Sequence, residues 1–219
     1  MSQHKAIRKR LLSGLDGLDL SVSDKQGQQL LDLLSLLQKW SKAYNLTAIR
    51  APGAMVDLHI LDSLSIASLI RGKTVLDVGT GAGFPGLPLA ILQPEREFTL
   101  LDASDKKLRF VRQAAFELGL KNVSAVHARV PEYAPRPGFD TVTARAFASL
   151  GDIVRDCAHL LSEAGRIVAM KGQDPSTDAQ GLGPEWAFEV LALQVPGLDQ
   201  ARHAIVLTAQ SNNETPKKD

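Results

Sequence analysis

The stretch Asp77-Val78-Gly79-Thr80-Gly81-Ala82-Gly83-Phe84-Pro85-Gly86 decides how the whole chain is read. It follows the short apolar run Thr74-Val75-Leu76, which has the character of a buried strand, and it places four glycines within eight positions. Glycines directly after a strand let the backbone turn sharply and let a ligand approach with no Cβ in the way. Open α/β sheets bind ligands at the carboxyl ends of their strands, where this loop would lie. The spacing then separates two kinds of nucleotide cofactor. A dinucleotide site needs G-x-G-x-x-G with a helix N-terminus aimed at a pyrophosphate. Here the pattern is G-x-G-x-G, with the acid Asp77 two residues before the first glycine. An acid in that place suits a cofactor with a free amino group better than one with phosphates.

Outward from the loop, strands and helices alternate. A helix is predicted over 84–93, then a strand over 98–101 ending on Asp102. A second helix carries Leu108, Val111, Ala115 and Leu118 on one face and stops at Gly119. Strands are predicted over 123–126 and 139–143, a helix over 149–161, and a fifth strand over 167–170, led in by Gly165. Such alternation implies an α/β, Rossmann-like fold with a mostly parallel sheet covered by helices on both faces. The last third differs. Segments 188–195 and 202–209 are strand-like, and the link between them is too short for a helical crossover, so the sheet should end antiparallel. Upstream, Ser23-Asp24-Lys25-Gln26 has the form of a capping box. Behind it Leu30, Leu33, Leu34, Leu37, Trp40 and Tyr44 recur at helical spacing. The expected organisation is a helical extension over 1–70 packed on an α/β domain over 71–210, with a polar, disordered tail over 211–219.

Asp102 falls nineteen positions after Gly83, at a strand end. A carboxylate there can accept both hydroxyls of a ribose; the structural alternative is a cap for the helix starting near Ser104. Together the loop and Asp102 describe an adenosyl cofactor without a diphosphate, S-adenosyl-L-methionine, with NAD as the weaker alternative.

Composition bounds the partners. The 219 residues carry 25 Lys and Arg against 24 Asp and Glu, a net charge of +1, with 44% hydrophobic residues. A chain of this size buries roughly 70% of its unfolded surface and needs no staple. Near-zero charge excludes a protein that coats nucleic acid by bulk electrostatics, so any binding must be local. Cys157 is the single cysteine, which excludes an intrachain disulfide and a thiolate zinc cluster; no metal is assigned, and Cys157 reads as buried filler. The first dozen residues carry Lys5, Arg8, Lys9 and Arg10 without an acid, either as a solvated helix end or as a contact to a phosphate backbone. There is no apolar core of a signal peptide and no apolar run long enough to span a membrane, so a cytoplasmic location without membrane contact is expected. A monomer is expected because no large apolar surface is readable.

Six blocks occur in order: Tyr44-Asn-Leu-Thr47, His59-Ile-Leu-Asp-Ser63, the glycine loop, Leu101-Asp102, Arg145-Ala-Phe-Ala-Ser-Leu150 and Lys171-Gly172. This set, over roughly residues 22 to 209, resembles the bacterial 16S rRNA (guanine-N7) methyltransferase G family, also called glucose-inhibited division protein B. The resemblance implies a class I methyltransferase fold and methylation of one guanosine in the 530 loop of 16S rRNA, within the 30S subunit or its assembly intermediate. It implies that Gly79 and Phe84 line the cofactor, beside Asp77, Gly81, Gly83 and Asp102 from the pattern itself. It matches Arg145 to an arginine that closes the site. Where the family has Arg-Val-Glu at the adenosine end, this chain has Arg129-Val130-Pro131-Glu132. Val130 and Pro131 then stand where the family contacts the adenosine: a backbone contact can survive there, although proline has no amide to donate, whereas a contact that needs the carboxylate is lost or moves to Glu132. Arg129, Arg145, Lys171 and Arg202 are the candidates for positioning the RNA, with His203 beside them; for Arg202 and His203 an exposed hairpin turn is the alternative. His59 reads as a packed or capping histidine and is not named catalytic. Two other functions stay open: an adenosylmethionine-dependent methyltransferase of small molecules or proteins, and a nonenzymatic ribosome-assembly factor.

Overall fold

Alternation of apolar residues along each strand decides which helices each face meets. The computed structural model describes residues 3–145, 149–172 and 182–210. Its strands are β1 (Thr74–Val78), β2 (Glu97–Asp102), β3 (Val123–His127), β4 (Phe139–Arg145), β5 (Leu161–Lys171), β6 (Trp186–Leu193) and β7 (Arg202–Ala209). They form a seven-stranded sheet in the order β3-β2-β1-β4-β5-β7-β6. Pairings among the first five are parallel, and β7 runs antiparallel to both β5 and β6. The expected mostly parallel sheet with an antiparallel end is present.

One face carries Val75, Phe98, Leu100, Val168 and Ala204, and the other Leu76, Val78, Leu101, Ile167, Ala169 and Ile205. This is the period of two that a twice-covered strand requires. The first face packs under α1 (Gln3–Gly17), α2 (Asp24–Tyr44), α5 (Gly86–Leu92) and α6 (Asp105–Glu117). The second packs under α7 (Leu150–Cys157). Cys157 is fully buried there, and burial pushes its thiol up to about 12, as suits filler.

The capping box forms as expected. Ser23 Oγ accepts from the Gln26 amide at 3.3 Å, and Gln26 Oε1 accepts from the Ser23 amide at 2.9 Å. Gln26 also donates to the carbonyls of Ile91 and Leu92 at 3.0 Å, which fastens the start of α2 to the end of α5. Leu30, Leu33 and Leu37 of α2 are fully buried, each worth about 1.5–3 kcal/mol over exposure. Asn45, in the left-handed region at φ 50°, ends the helix.

Several boundaries differ from expectation, among them β6, which lies two residues upstream of the expected 188–195, and β4, which runs two residues past 143. The helix predicted over 84–93 starts at Gly86, because the preceding residues remain in the ligand loop. The helix predicted over 149–161 ends at Cys157 in a 3-10 turn (Ala158–Leu160). Strand β5 starts at Leu161, six residues early, because Gly165 sits inside it at an irregularity against β4. A Cβ on Gly165 would lie 2.6 Å from the Phe139 carbonyl, so two backbones approach there as only glycine allows. The tail over 211–219 lies outside the described residues.

The stretch between α2 and β1 is helical over 52–64. It runs as α3 (Pro52–Met55), a π-helical turn (Val56–Leu61) and α4 (Asp62–Leu64). Arg10 of α1 donates from Nε to Asp57 Oδ1 at 2.7 Å, and its second nitrogen reaches the other oxygen of this buried carboxylate. One of the four N-terminal cations thus fastens α1 to the π turn, a role that neither a solvated helix end nor a phosphate contact provides. No helix among the described residues is long and apolar enough to cross a membrane.

Candidate functional site

Strand order reverses between β1 and β4, and the carboxyl ends of those neighbours flank the crevice where such sheets bind ligands. Asp77 lies one residue from the end of β1 and is 1% exposed. Its Oδ2 accepts from Thr80 Oγ1 at 2.5 Å and from the Gly86 amide at 3.0 Å; its Oδ1 accepts from Thr143 Oγ1 of β4 at 3.1 Å. Burial pushes this carboxyl up to about 6, against the opposing pull of those donors and of Arg145. Its oxygens are engaged by the chain, and it clamps the glycine loop from below.

Above it, Gly79, Gly81 and Gly83 have φ of +64°, +61° and +85°, a region L side chains rarely adopt. The Thr80 amide donates to the Leu101 carbonyl at 3.0 Å, tying the loop to the end of β2. There Asp102, 7% exposed, accepts from the Gly81 amide on Oδ2 at 2.9 Å and from the Ser104 amide on Oδ1 at 2.8 Å. The cap alternative is therefore also realised in part. Each oxygen carries one chain amide and keeps a lone pair, so the carboxylate retains the capacity to accept hydroxyls. Lys107 Nζ, 3.9 Å away, balances the charge.

The upstream helices complete the mouth. Phe84 is buried, with the His59 ring stacked on it at 4.9 Å and the Arg145 guanidinium 5.7 Å from its centroid. Arg145, the last residue of β4, donates at 3.4 Å to Asp62 Oδ2 and to the Leu58 carbonyl. Asp62 Oδ1 accepts from Arg202 Nε at 3.0 Å, so one buried carboxylate holds the ends of β4 and β7. Arg202 is thereby largely buried, unlike an exposed turn arginine. Lys171 ends β5 opposite His203 in the strand register. Arg129 is exposed at the start of a 3-10 turn (Val130–Glu132) that follows β3; the Val130 side chain packs toward α7, and the Glu132 amide returns to the Arg129 carbonyl at 3.0 Å.

All the expected site residues thus lie along one edge of the sheet. Sequence reasoning leaves His59, with Asp62 three residues on, as a packed or capping histidine and gives neither a place in the site; the fold brings both to the mouth. His59 Nε2 shares a hydrogen bond with Thr47 Oγ1 at 2.9 Å. Burial, helped by Arg145, pulls its pKa down from 6.5 to about 4. The folded chain then takes up this proton later than the unfolded chain, so stability is intact above pH 6.5 and is lost as pH falls from 6.5 toward 4. His59→Gln is expected to remove that loss. Urea unfolding at pH 7 and at pH 4.5 should show the variant gaining about 2 kcal/mol on the wild type between the two.

The donor set fits an adenosyl cofactor. It offers a part-open carboxylate at the second strand end, a backbone cradle of three left-handed glycines and no cluster of cations aimed at a pyrophosphate among the described residues. Comparison with known proteins agrees. The family model described as rRNA small subunit methyltransferase G matches residues 26–206. A ribosomal RNA small subunit methyltransferase G from Psychromonas ingrahamii is 51% identical over 198 residues, covering 90% of this chain and 96% of that protein. One from Escherichia coli is 47% identical over 201 residues, covering 91% and 97%. Among solved structures, TrmN from Thermus thermophilus aligns with a TM-score of 0.55 at 24% identity, over 78% of this chain and 53% of that one. A SAM dependent methyltransferase from Aquifex aeolicus aligns with a TM-score of 0.52 at 17% identity, over 72% and 93%. These two likenesses establish the class I methyltransferase fold.

Proposed function

The chain belongs to the rRNA small subunit methyltransferase G family, and from that premise we propose that it transfers a methyl group from S-adenosyl-L-methionine to N7 of a guanosine in the 530 loop of 16S rRNA. It acts in the cytoplasm, on the 30S subunit or its assembly intermediate. Residues 71–210 form the catalytic domain, and residues 1–70 a helical extension that lends His59 and Asp62 to the mouth. The observation that best supports this is Asp102, with one chain amide on each oxygen beside the glycine loop.

When bound, the cofactor supplies an electrophilic methyl group on a cationic sulfur. Asp102 accepts the ribose hydroxyls, the backbone of Gly79, Gly81 and Gly83 carries the chain of the cofactor, and Phe84 walls it. Val130 and Pro131 border the adenosine end through apolar contact, since proline has no amide to donate. Guanine N7 has a lone pair and no proton, so no side chain has to act as a base. The work left to the protein is alignment and exclusion of water. Charge matters too, because unmatched arginines would repel a sulfonium. Asp62 meets both Arg145 and Arg202, and His59 stays neutral at pH 7, so the mouth does not oppose the cofactor's charge. Arg129, Arg145, Lys171 and Arg202 position the RNA along the strand ends.

Incubation with 30S subunits and cofactor tritiated in its methyl group tests this. The expected label lies on N7 of one guanosine of 16S rRNA. Label on another atom, on protein or on a small molecule, or no label at all, overturns it.

A further inference from the structure

We propose that the groove between α1 and α2 is a second rRNA-binding face, gripping the sugar–phosphate backbone away from the base that reacts. It rests on the proposal above that rRNA is the substrate. Two clefts, of about 350 and 500 Å³, share Ser35, Gln38 and Pro52 and run along α1, α2 and the loop that follows. Their rims carry Lys5 and Arg8 from α1, Lys39 and Lys42 from α2, and Arg50 from the loop, against the single acid Asp32. On a chain whose net charge is +1, this is a strong local excess.

The excess is not cancelled internally. Among the described residues, Lys5, Lys39 and Lys42 have no carboxylate within salt-bridge reach. The carboxylate nearest Arg8, on Asp24, is 4.0 Å away and fully exposed, a pair worth little in water. Arg10, by contrast, is taken up by Asp57 and does not count toward the groove. Like charges along one groove repel each other, and a polyanion laid along it relieves that repulsion while releasing its own counterions. The N-terminal basic run thus finds a use that the reacting centre leaves open.

Continuity with the mouth favours RNA over an acidic protein segment. Arg50 is braced on the Ser41 carbonyl at 3.1 Å and Asn45 Oδ1 at 3.0 Å, and it lies three residues from Thr47, the partner of His59. At the end of α2 that meets this loop, Tyr44 is 38% exposed, stacks on Trp40 at 5.1 Å and has Lys106 Nζ 5.7 Å from its ring centroid. The part of this ring that Trp40 and Lys106 leave exposed offers an unpaired base aromatic surface beside a cation. A strand of RNA can therefore run from the groove past Tyr44 to the mouth.

The double variant Lys39→Glu/Lys42→Glu tests the groove, with Lys73→Glu/Lys121→Glu, an equal charge change at exposed sites outside it, as control. For the first, KM for 30S subunits should rise about tenfold or more, with kcat and affinity for adenosylhomocysteine unchanged. The slope of log affinity for 30S against log salt should become shallower by about 0.7–0.9 for each phosphate that the groove no longer neutralises. The control should match the wild type. Equal effects of both variants, an unchanged KM and slope, or a fall in kcat or adenosylhomocysteine affinity would overturn the proposal. So would displacement of 30S subunits by polyglutamate as readily as by single-stranded RNA. If the wild type places no label on 30S, the proposed reaction falls by itself, and direct binding of 30S by the two variants still decides the groove.

Discussion

Asp102→Ala is expected to weaken binding of adenosylhomocysteine about a hundredfold. Two hydroxyl hydrogen bonds to a charged acceptor are worth about 1.5–3 kcal/mol each, and their lower sum of about 3 kcal/mol is already a factor of at least about one hundred. The same oxygens hold the Gly81 and Ser104 amides, so the alanine variant also loosens the glycine loop and the entry to α6. Asp102→Asn is the milder change, although its amide nitrogen then faces the Gly81 or the Ser104 amide, donor against donor. It keeps one acceptor oxygen and the shape of the side chain, and should lose only about tenfold. Calorimetric titration of both variants measures this. A loss below tenfold for the alanine variant would mean that the ribose is held elsewhere, and the placement of the cofactor would fail.

Asp77→Ala is expected to lower stability by about 3 kcal/mol at pH 7, the difference between a cost and a partial relief. Removing the carboxylate strands the Thr80 hydroxyl, the Gly86 amide and the Thr143 hydroxyl in a site that is 1% exposed, at about 2 kcal/mol each. Against that, the wild type carries a buried negative charge at pH 7 because its carboxyl, raised to about 6, has had to ionise. That ionisation costs about 3 kcal/mol relative to an ordinary carboxyl, and the variant escapes it. The net loss corresponds to a fall in Tm of about 9 °C for a chain of this length. The sign with pH follows from the raised value. Wild-type stability from this group returns as pH falls from 6 toward 3.8, so the deficit of the variant should widen over that interval by about 3 kcal/mol. Urea unfolding at pH 7 and at pH 4.5 reads the deficit and most of its widening. A deficit that narrowed on acidification would show that Asp77 is not the strained carboxyl described here.

The sheet was largely legible from one residue to the next, because strands buried on both faces write themselves as short apolar runs and glycines mark where the backbone has to turn. Thr74–Val78 and Arg202–Ala209 were read to within a residue, for that reason. What was not legible depends on residues far apart in sequence. The acid before the glycine loop looks free in sequence; only the fold brings Thr143 of β4 against it, 66 positions away. His59 reaches the mouth from a helical turn of π geometry, and Asp62 from the short α4 directly after it, a stretch whose spacing matches neither the helical nor the strand period. The early start of β5 hides behind Gly165, which punctuates a turn in sequence but serves a close approach of two strands in the fold.

Among the described residues the strand latest in sequence, β7, is not at the rim of the sheet, and this imposes an order on synthesis. β7 lies between β5 and β6, and β6 joins the sheet only by pairing with it. A nascent chain interrupted before residue 202 therefore leaves the edge of β5 bare and β6 without a neighbour, a template for wrong pairing. It also lacks Arg202, so Asp62 loses one of its two guanidinium partners. The pairing of Asp62 with both arginines is thus completed only once residue 202 has been made.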